Sequence, residues 1–256
     1  MKKPYTHKQI TSDENIENKE QLGLLLESDA VNILAAYNIP YPLNGLARSP
    51  EEAVHIAQEI GYPVVLKVVS YDIVHKSDIG GVVVGNRNAS EVLGNFVKIS
   101  DGIWRKKPES IIEGILVCQQ ARQGMEVIVG AVDDPTFGTT IMFGLGGIYA
   151  EALDDVSFRV APLERRDALE MIREIKGYPL LTGSRGKEAV NQHKLVDLIM
   201  DVSRLVTEHP EIKQLDLNPT RLYPEGLLVL DVRMMCIVNT VSKEFSERHL
   251  RKHRIE

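Results

Sequence analysis

A lysine stands in the middle of an apolar, β-branched run, and that placement limits what the chain can become. The run is Val64-Val65-Leu66-Lys67-Val68-Val69, introduced by Gly61-Tyr62-Pro63. Its composition is that of a short, mostly buried strand. An ammonium group buried in such a strand is costly unless an anion answers it. Two readings of Lys67 stay open at this point. It is either a structural ion pair or a snorkelling edge-strand stem, or a cation facing a nucleotide phosphate. A polar loop, His75-Lys76-Ser77-Asp78, follows, and a second apolar run opens at Gly81. His75 in that loop is either an ordinary exposed histidine or a group that takes part in transfer chemistry.

The chain has 256 residues, 43% of them apolar and 26% charged, enough for one large or two small domains with a real core. A net charge of −6 leaves no broad cationic surface to displace counterions, which argues against nucleic acid as a partner but allows a local cationic pocket. Cys118 and Cys236 lie far apart in apolar stretches without metal-ligand spacing, as expected of reduced thiols in a cytoplasmic protein. The basic start lacks the apolar run of a signal peptide, and no stretch is long enough to cross a bilayer, so no membrane association is expected.

Residues 1–21 are polar and are expected to form a flexible tail. Apolar positions recur at helical spacing from Leu24 to Tyr37 and stop at Asn38-Ile39-Pro40. Ser49-Pro50-Glu51-Glu52 opens a second helix ending at Gly61, and Asn88 with Glu91 opens a third that runs through Trp104 to Lys106-Lys107-Pro108. Strands are expected at Ile111–Gln119, Glu126–Val132 and Thr139–Phe143, closed by Gly144-Leu145-Gly146-Gly147, with helices over about 164–175 and 188–208. Alternation early and clustered strands later predict two α+β lobes with a joint near residues 109–115. The glycine turn either lets backbone N–H groups approach an anion or is simply tight, and Glu151 after it is a supporting partner or a surface carboxylate. Glu126 either accepts from ribose hydroxyls or caps a solvated strand end.

In Gln214-Leu215-Asp216-Leu217-Asn218-Pro219 the period of two puts Asp216 and Asn218 on one face of a strand. A Pro-Glu-Gly turn returns the chain as an expected strand, Leu227 to Val232, in which Asp231 interrupts an apolar series. Three hard oxygen ligands converging on one ribbon suit Mg²⁺ shared with substrate phosphates. The alternative is that these residues serve turns and strand ends.

The stretches GYPVVLKVVS, HKSDIGGVVVG, GMEVIVGAVDDPTFG, FGLGGIYAE, LLTGSRG, and LDLNP followed by LDVR run in order over about residues 22–240. Together they resemble an ATP-grasp domain, and more narrowly the β subunit of ADP-forming (NDP-forming) acyl-CoA synthetases, the acetate:CoA ligase group. The resemblance implies an α+β ATP-grasp fold with a nucleotide between two lobes. The larger lobe would take residues 22–40 and 115–240 and the smaller one 41–114, leaving a charged tail at 241–256. It implies that Lys67 binds phosphate, that the Gly80 and Gly81 backbone approaches the nucleotide, and that Gln119 lies in the hinge that reads adenine. Glu126 falls at a nucleotide-contacting position, and Asn218 and Asp231 match Mg²⁺ ligands. His75 matches the histidine of a mobile loop that carries a phosphoryl group, with Asp216 orienting it.

The implied reaction is acyl-CoA plus ADP plus phosphate giving acid, CoA and ATP, reversibly, with Mg²⁺ as cofactor and ATP or ADP as substrate. The chain has no GxGxxG turn for CoA. The implied partner is therefore an α subunit carrying the CoA-binding and second phosphohistidine domains, in an α2β2 complex. The rival expectations are another ATP-grasp carboxylate ligase acting as a single chain, or a nucleotide-sensing subunit without catalysis.

Overall fold

Two antiparallel sheets, each with helices on one face, divide the chain between them. The computed structural model describes residues 22–73, 75–147, 155–183 and 188–237; Glu151, both tails and the Ser-Arg-Gly end of the LLTGSRG stretch lie outside the described residues. The described chain begins with β1 (Leu22–Leu25) and α1 (Glu27–Ala36). It then builds a four-stranded sheet from β2 (Asn44–Ala47), β3 (Val64–Val69), β4 (Val82–Asn86) and β5 (Gly114–Gln119), in the order β2-β5-β3-β4.

Two helices cover that sheet, and their starts are written in local chemistry. In α2 (Pro50–Ile60) the Ser49 hydroxyl accepts from the Glu52 N–H at 3.1 Å, with proline in the first turn. In α3 (Ala89–Lys106) Asn88 Oδ1 accepts from the Glu91 N–H at 3.0 Å, and Arg105 and Lys106 sit where the last turn favours cations. Strand alternation then sorts the side chains. Leu66, Val68, Ile115 and Val117 pack beneath the helices with Ala57, Val92, Phe96 and Ile99. Val69, Leu116 and Cys118 face the other way, against Leu26 of the larger lobe. Lys67 is forced onto that second face.

The larger sheet contains β6 (Met125–Asp134), β7 (Gly138–Leu145), β8 (Val156–Val160), β9 (Ile212–Leu222), β10 (Leu227–Val229) and β11 (Val232–Ile237). Its order is β1-β11-β9-β6-β7-β8, with β10 beside β9. Helices α4 (Arg165–Glu174) and α6 (Gln192–Glu208), with the short α5 (Tyr178–Leu181), cover one face. Val129, Ile141 and Phe143 meet Met171, Ile199 and Val202 there. Each such side chain contributes about 1.5–3 kcal/mol relative to an exposed one.

Four local expectations differ from the structure. The helix expected from Leu24 starts at Glu27, because Leu22–Leu25 is claimed by antiparallel pairing with β11, a tertiary contact that overrides propensity. The strand expected at Leu227–Val232 breaks into β10 and β11, leaving Asp231 in the break. There Leu230 N–H donates to Pro219 O at 2.9 Å and the Asp231 carbonyl accepts from Asn218 N–H at 3.1 Å. Strands β2 and β8 have no counterpart in the sequence expectation. Finally β5, assigned to the larger lobe by a joint at 109–115, pairs between β2 and β3 in the smaller sheet, so the chain crosses after Gln119. Among the described residues no helix is long and apolar enough to cross a membrane.

Candidate functional site

A cavity of about 720 Å³ opens between the inner face of the smaller sheet and the β9–β11 ribbon. Lys67 from β3, His75 and Lys76 from the following loop, Gln119 from β5, and Asn218 and Asp231 from the ribbon all line it. Five residues singled out in the sequence, Lys67, His75, Gln119, Asn218 and Asp231, thus line one cavity although up to 164 positions separate them. Four others, Gly80, Gly81, Glu126 and Asp216, do not line it.

The anion that answers Lys67 is Glu27, the first residue of α1. Lys67 Nζ donates to Glu27 Oε1 at 2.8 Å, to Tyr41 Oη at 2.8 Å and to the Leu230 carbonyl. These three acceptors use all three N–H bonds of the ammonium. Asp231 Oδ1 stands 3.8 Å away. The second Glu27 oxygen accepts from Lys76 Nζ, which also reaches Asp231 Oδ1 at 3.2 Å. Tyr41 Oη donates to Glu27. Burial pushes the Glu27 carboxyl up, but the Lys67 and Lys76 charges outweigh it and hold the group well below the usual carboxylate range. Burial likewise opposes the Lys67 charge, and the Glu27 and Asp231 carboxylates reverse that and lift it above the ordinary lysine value. Burial, then the adjacent Glu27 charge, lift Asp231 above the usual range against both lysines. The ion-pair reading of Lys67 is realised, and the residue still faces the cavity.

His75 is exposed on the cavity wall, and among the described residues its ring has no hydrogen-bond partner. The two glycines after it serve the loop itself. Gly80 N–H donates to Ser77 O at 3.1 Å and Gly81 N–H to Lys76 O at 2.7 Å, so neither amide faces a ligand. A Cβ at Gly81 would lie 2.5 Å from Val68 Cγ1 and 2.9 Å from the Lys76 carbonyl oxygen, which leaves glycine as the residue that fits.

Glu126 stands opposite Arg221 in the β6–β9 register; its Oε1 accepts from Arg221 Nε at 2.9 Å and lies 2.9 Å from Nη2 in an ion pair. Its carboxylate is therefore engaged behind the wall, and Arg221 is the residue that reaches the cavity. Asp216 shares a strand face with Asn218 and lies directly across from Arg233. Burial raises its carboxyl, opposed by Arg233 and by a hydrogen bond with Asn218. No hydrogen bond joins it to His75 among the described residues. In the stretch expected to form the hinge, Gln119 N–H donates to Leu43 O at 2.8 Å and Gln120 N–H to Pro63 O at 3.1 Å, so both amides are engaged within the smaller lobe and its approach. In the glycine turn, Gly146 N–H donates to Glu126 O at 2.8 Å, and a Cβ at Gly144 would meet Val156 Cγ1 at 2.7 Å. Close packing explains those glycines.

Among the described residues no three His, Cys, Asp or Glu side chains form a metal cluster. The donor set on the cavity wall is Asn218 and Asp231, whose backbones are hydrogen-bonded to each other. Two hard oxygen donors beside an open cavity fit Mg²⁺, which takes its remaining ligands from water and phosphate.

Residues 17–236 match the family model described as an ATP-grasp domain. The chain is 48% identical over 211 residues to the acetate–CoA ligase [ADP-forming] I subunit beta of Pyrococcus furiosus, covering 82% of this chain and 91% of that one. It is 45% identical over 216 residues to acetate–CoA ligase [ADP-forming] I of Archaeoglobus fulgidus, taking in 84% of this chain but 31% of that longer protein. The dinucleotide forming acetyl-coenzyme A synthetase 1 of Ca. Korarchaeum cryptofilum, solved with coenzyme A, Ca-AMPCP and HgCl⁺, superposes with a TM-score of 0.82 at 47% identity, over 84% of this chain and 93% of that one. In a second structure of that protein, with coenzyme A and Mg-AMPPCP, the phosphohistidine segment points towards the nucleotide binding site; it matches at 44% identity and a TM-score of 0.74, over the same shares of both chains.

Proposed function

Since this chain belongs to the ATP-grasp domain family, we propose that it is the nucleotide-binding β subunit of an ADP-forming acyl-CoA synthetase and that His75 carries the phosphoryl group. The observation that carries the reading is the shared cavity wall: an imidazole without a hydrogen-bond partner among the described residues, two ammonium groups and a pair of hard oxygen donors, drawn from separate stretches. A partner subunit is supported by the relatives. One of matching length is named a β subunit, and another is a single protein of which this chain matches 31%.

In the proposed sequence the partner converts acyl-CoA and phosphate into CoA and an acyl phosphate; its own histidine takes the phosphoryl group as the acyl O–P bond breaks and the carboxylic acid leaves, and passes that group to His75. An N–P bond forms at a His75 ring nitrogen as the bond to the donor breaks. A β-phosphate oxygen of ADP then attacks the phosphorus in line, the N–P bond breaks, and the imidazole is restored with ATP as product. Lys67, its three N–H bonds already engaged, acts as a fixed positive charge at the back of the site, where it costs no reorganisation during transfer. Lys76 places a second charge one residue from the carrier. Mg²⁺ bound at Asn218 and Asp231 would neutralise phosphate oxygens, which is most of what phosphoryl transfer needs. Gln119, Gln120 and Ala121 line the same cavity, and the base would rest against them.

The test is incubation of the chain and its partner with γ-labelled ATP, followed by peptide mapping. Acid-labile, base-stable label is expected on His75 and absent from His75→Ala. Labelling and turnover of His75→Ala at the parental rate overturn the relay.

A further inference from the structure

The relay described above leaves Glu27 without a part, although it is the most buried charged side chain at the site, at 4% exposure. One of its oxygens takes Lys67 and the other takes Lys76, so a single carboxylate ties α1 of the larger lobe to β3 and to the His75 loop. Neutralising Lys67 alone would occupy one oxygen. Lys76 also spans to Asp231 at the β10–β11 break. Among the described residues, every hydrogen bond or ion pair between residues 75–80 and the larger lobe is made by the Lys76 side chain. The Lys76 backbone is tied in turn: its carbonyl accepts from Gly81 N–H at 2.7 Å, and Gly81 O accepts from Val68 N–H at 2.8 Å. A pull on the Lys76 side chain is therefore passed to the loop and to the strand that bears Lys67. The clasp holds two carboxylates, Glu27 and Asp231, and two ammonium groups, so its charges balance with no ligand present.

We infer that Glu27 is a positioning residue, which clasps Lys76 and so fixes the His75 loop at the nucleotide end of its travel. The inference rests on the reading of His75 as a carrier. A carrier histidine must leave one site and return to another, and a reproducible docked position requires something to dock against. The Lys76–Glu27 contact supplies it from a rigid helix start, one residue from the imidazole. Departure of the loop then requires that Lys76 give up both Glu27 and Asp231.

The experiment is hydrogen exchange by mass spectrometry on the full-length chain, comparing the parent with Glu27→Gln, Lys76→Met and the double variant. Each single change is expected to speed exchange at Gly80 and Gly81 by about tenfold or more, with α3 and β9 amides at parental protection. The double variant should exchange no faster than Lys76→Met, which already removes both ties from the loop to the larger lobe. With the partner present and nucleotide saturating, Glu27→Gln should slow label transfer to His75 about tenfold or more, and Glu27→Asp should recover part of the transfer rate. A general loss of stability would also speed exchange in α3 and β9, which this contact does not touch. Parental loop exchange in Lys76→Met, or singles that add in the double variant, overturn the clasp. If Glu27→Gln does not fold, Lys76→Met still decides, since it leaves Glu27 paired with Lys67. Exchange requires no phosphoryl transfer, so a loosened loop with His75 unlabelled in the parent would sink the relay and leave the clasp standing.

Discussion

Replacing Lys67 by methionine keeps most of the side-chain volume and removes only the charge and its donors. Glu27 Oε1 then loses its ammonium partner inside the protein, and the Leu230 carbonyl loses one of its donors. Removing one member of a buried pair costs about 3–5 kcal/mol, because the other charge stays behind. Lys76 still holds Glu27 Oε2, and the one Tyr41 hydroxyl proton can still serve Glu27 or the Leu230 carbonyl, which places the effect near the lower bound. For a chain of this size about 3 kcal/mol corresponds to a fall in Tm of about 6–12 °C, measured by scanning calorimetry at pH 7. The pH dependence carries a sign. In the parent the two lysines outweigh burial and depress the Glu27 pKa, so its contribution is complete above the ordinary value of 4.5 and is lost only as pH falls through the lower folded value. In Lys67→Met burial is opposed by Lys76 without Lys67, Glu27 takes its proton at higher pH, and the neutral acid no longer needs the missing ammonium. The gap in Tm between parent and variant should therefore narrow from pH 7 to pH 5. A fall below about 2 °C, or a gap that widens on acidification, refutes the buried-pair account.

Gly81→Ala drives a Cβ to 2.5 Å from Val68 Cγ1 and 2.9 Å from the Lys76 carbonyl oxygen, and should lower stability by about 1–3 kcal/mol; a Tm within about 1 °C of the parent contradicts this. Asp155 is buried and its two carboxylate oxygens accept from Lys176 N–H and Gly177 N–H, both at 2.6 Å, closing the turn after α4. Asp155→Ala should cost about 2–4 kcal/mol in urea unfolding, with a smaller loss for Asp155→Asn, and equal losses would contradict the account. Burial pushes the Cys118 and Cys236 thiols up to about 12, so at pH 8 iodoacetamide should modify the folded chain about 1,000-fold more slowly than a free thiol. Intact-mass measurement showing either cysteine within about tenfold of the free rate would refute that.

What the sequence made legible was local. Ser49 and Asn88 cap the helices that they were expected to cap, because a cap acts over three residues and needs nothing from the rest of the fold. The odd residues of the site were also visible in place: a charge inside an apolar strand, two polar side chains two apart on another, and an aspartate with no turn of its own. Partners were not visible. Glu27 follows a leucine run and reads as an ordinary first-turn acid, whereas its role comes from a lysine 40 residues on and a loop 49 residues on. Glu126 resembled a ligand group for the same reason, since only the β6–β9 register reveals Arg221 opposite it.

The same distinction explains why the two readings of Lys67 were not rivals. A lysine must remain charged and fixed to serve a phosphate, and on a buried strand only a chain carboxylate keeps it so before a ligand arrives. Glu27 provides that carboxylate, and the alternation of β3 turns the pair towards the cleft instead of the helices. Under the proposed function, an ion pair that looks structural in isolation is therefore a condition for the phosphate site. Because Glu27 belongs to the larger lobe and Lys67 to the smaller, the pair also sets the spacing between them. A change that abolishes the Glu27 charge should consequently disturb the cleft even where the core of each lobe is untouched.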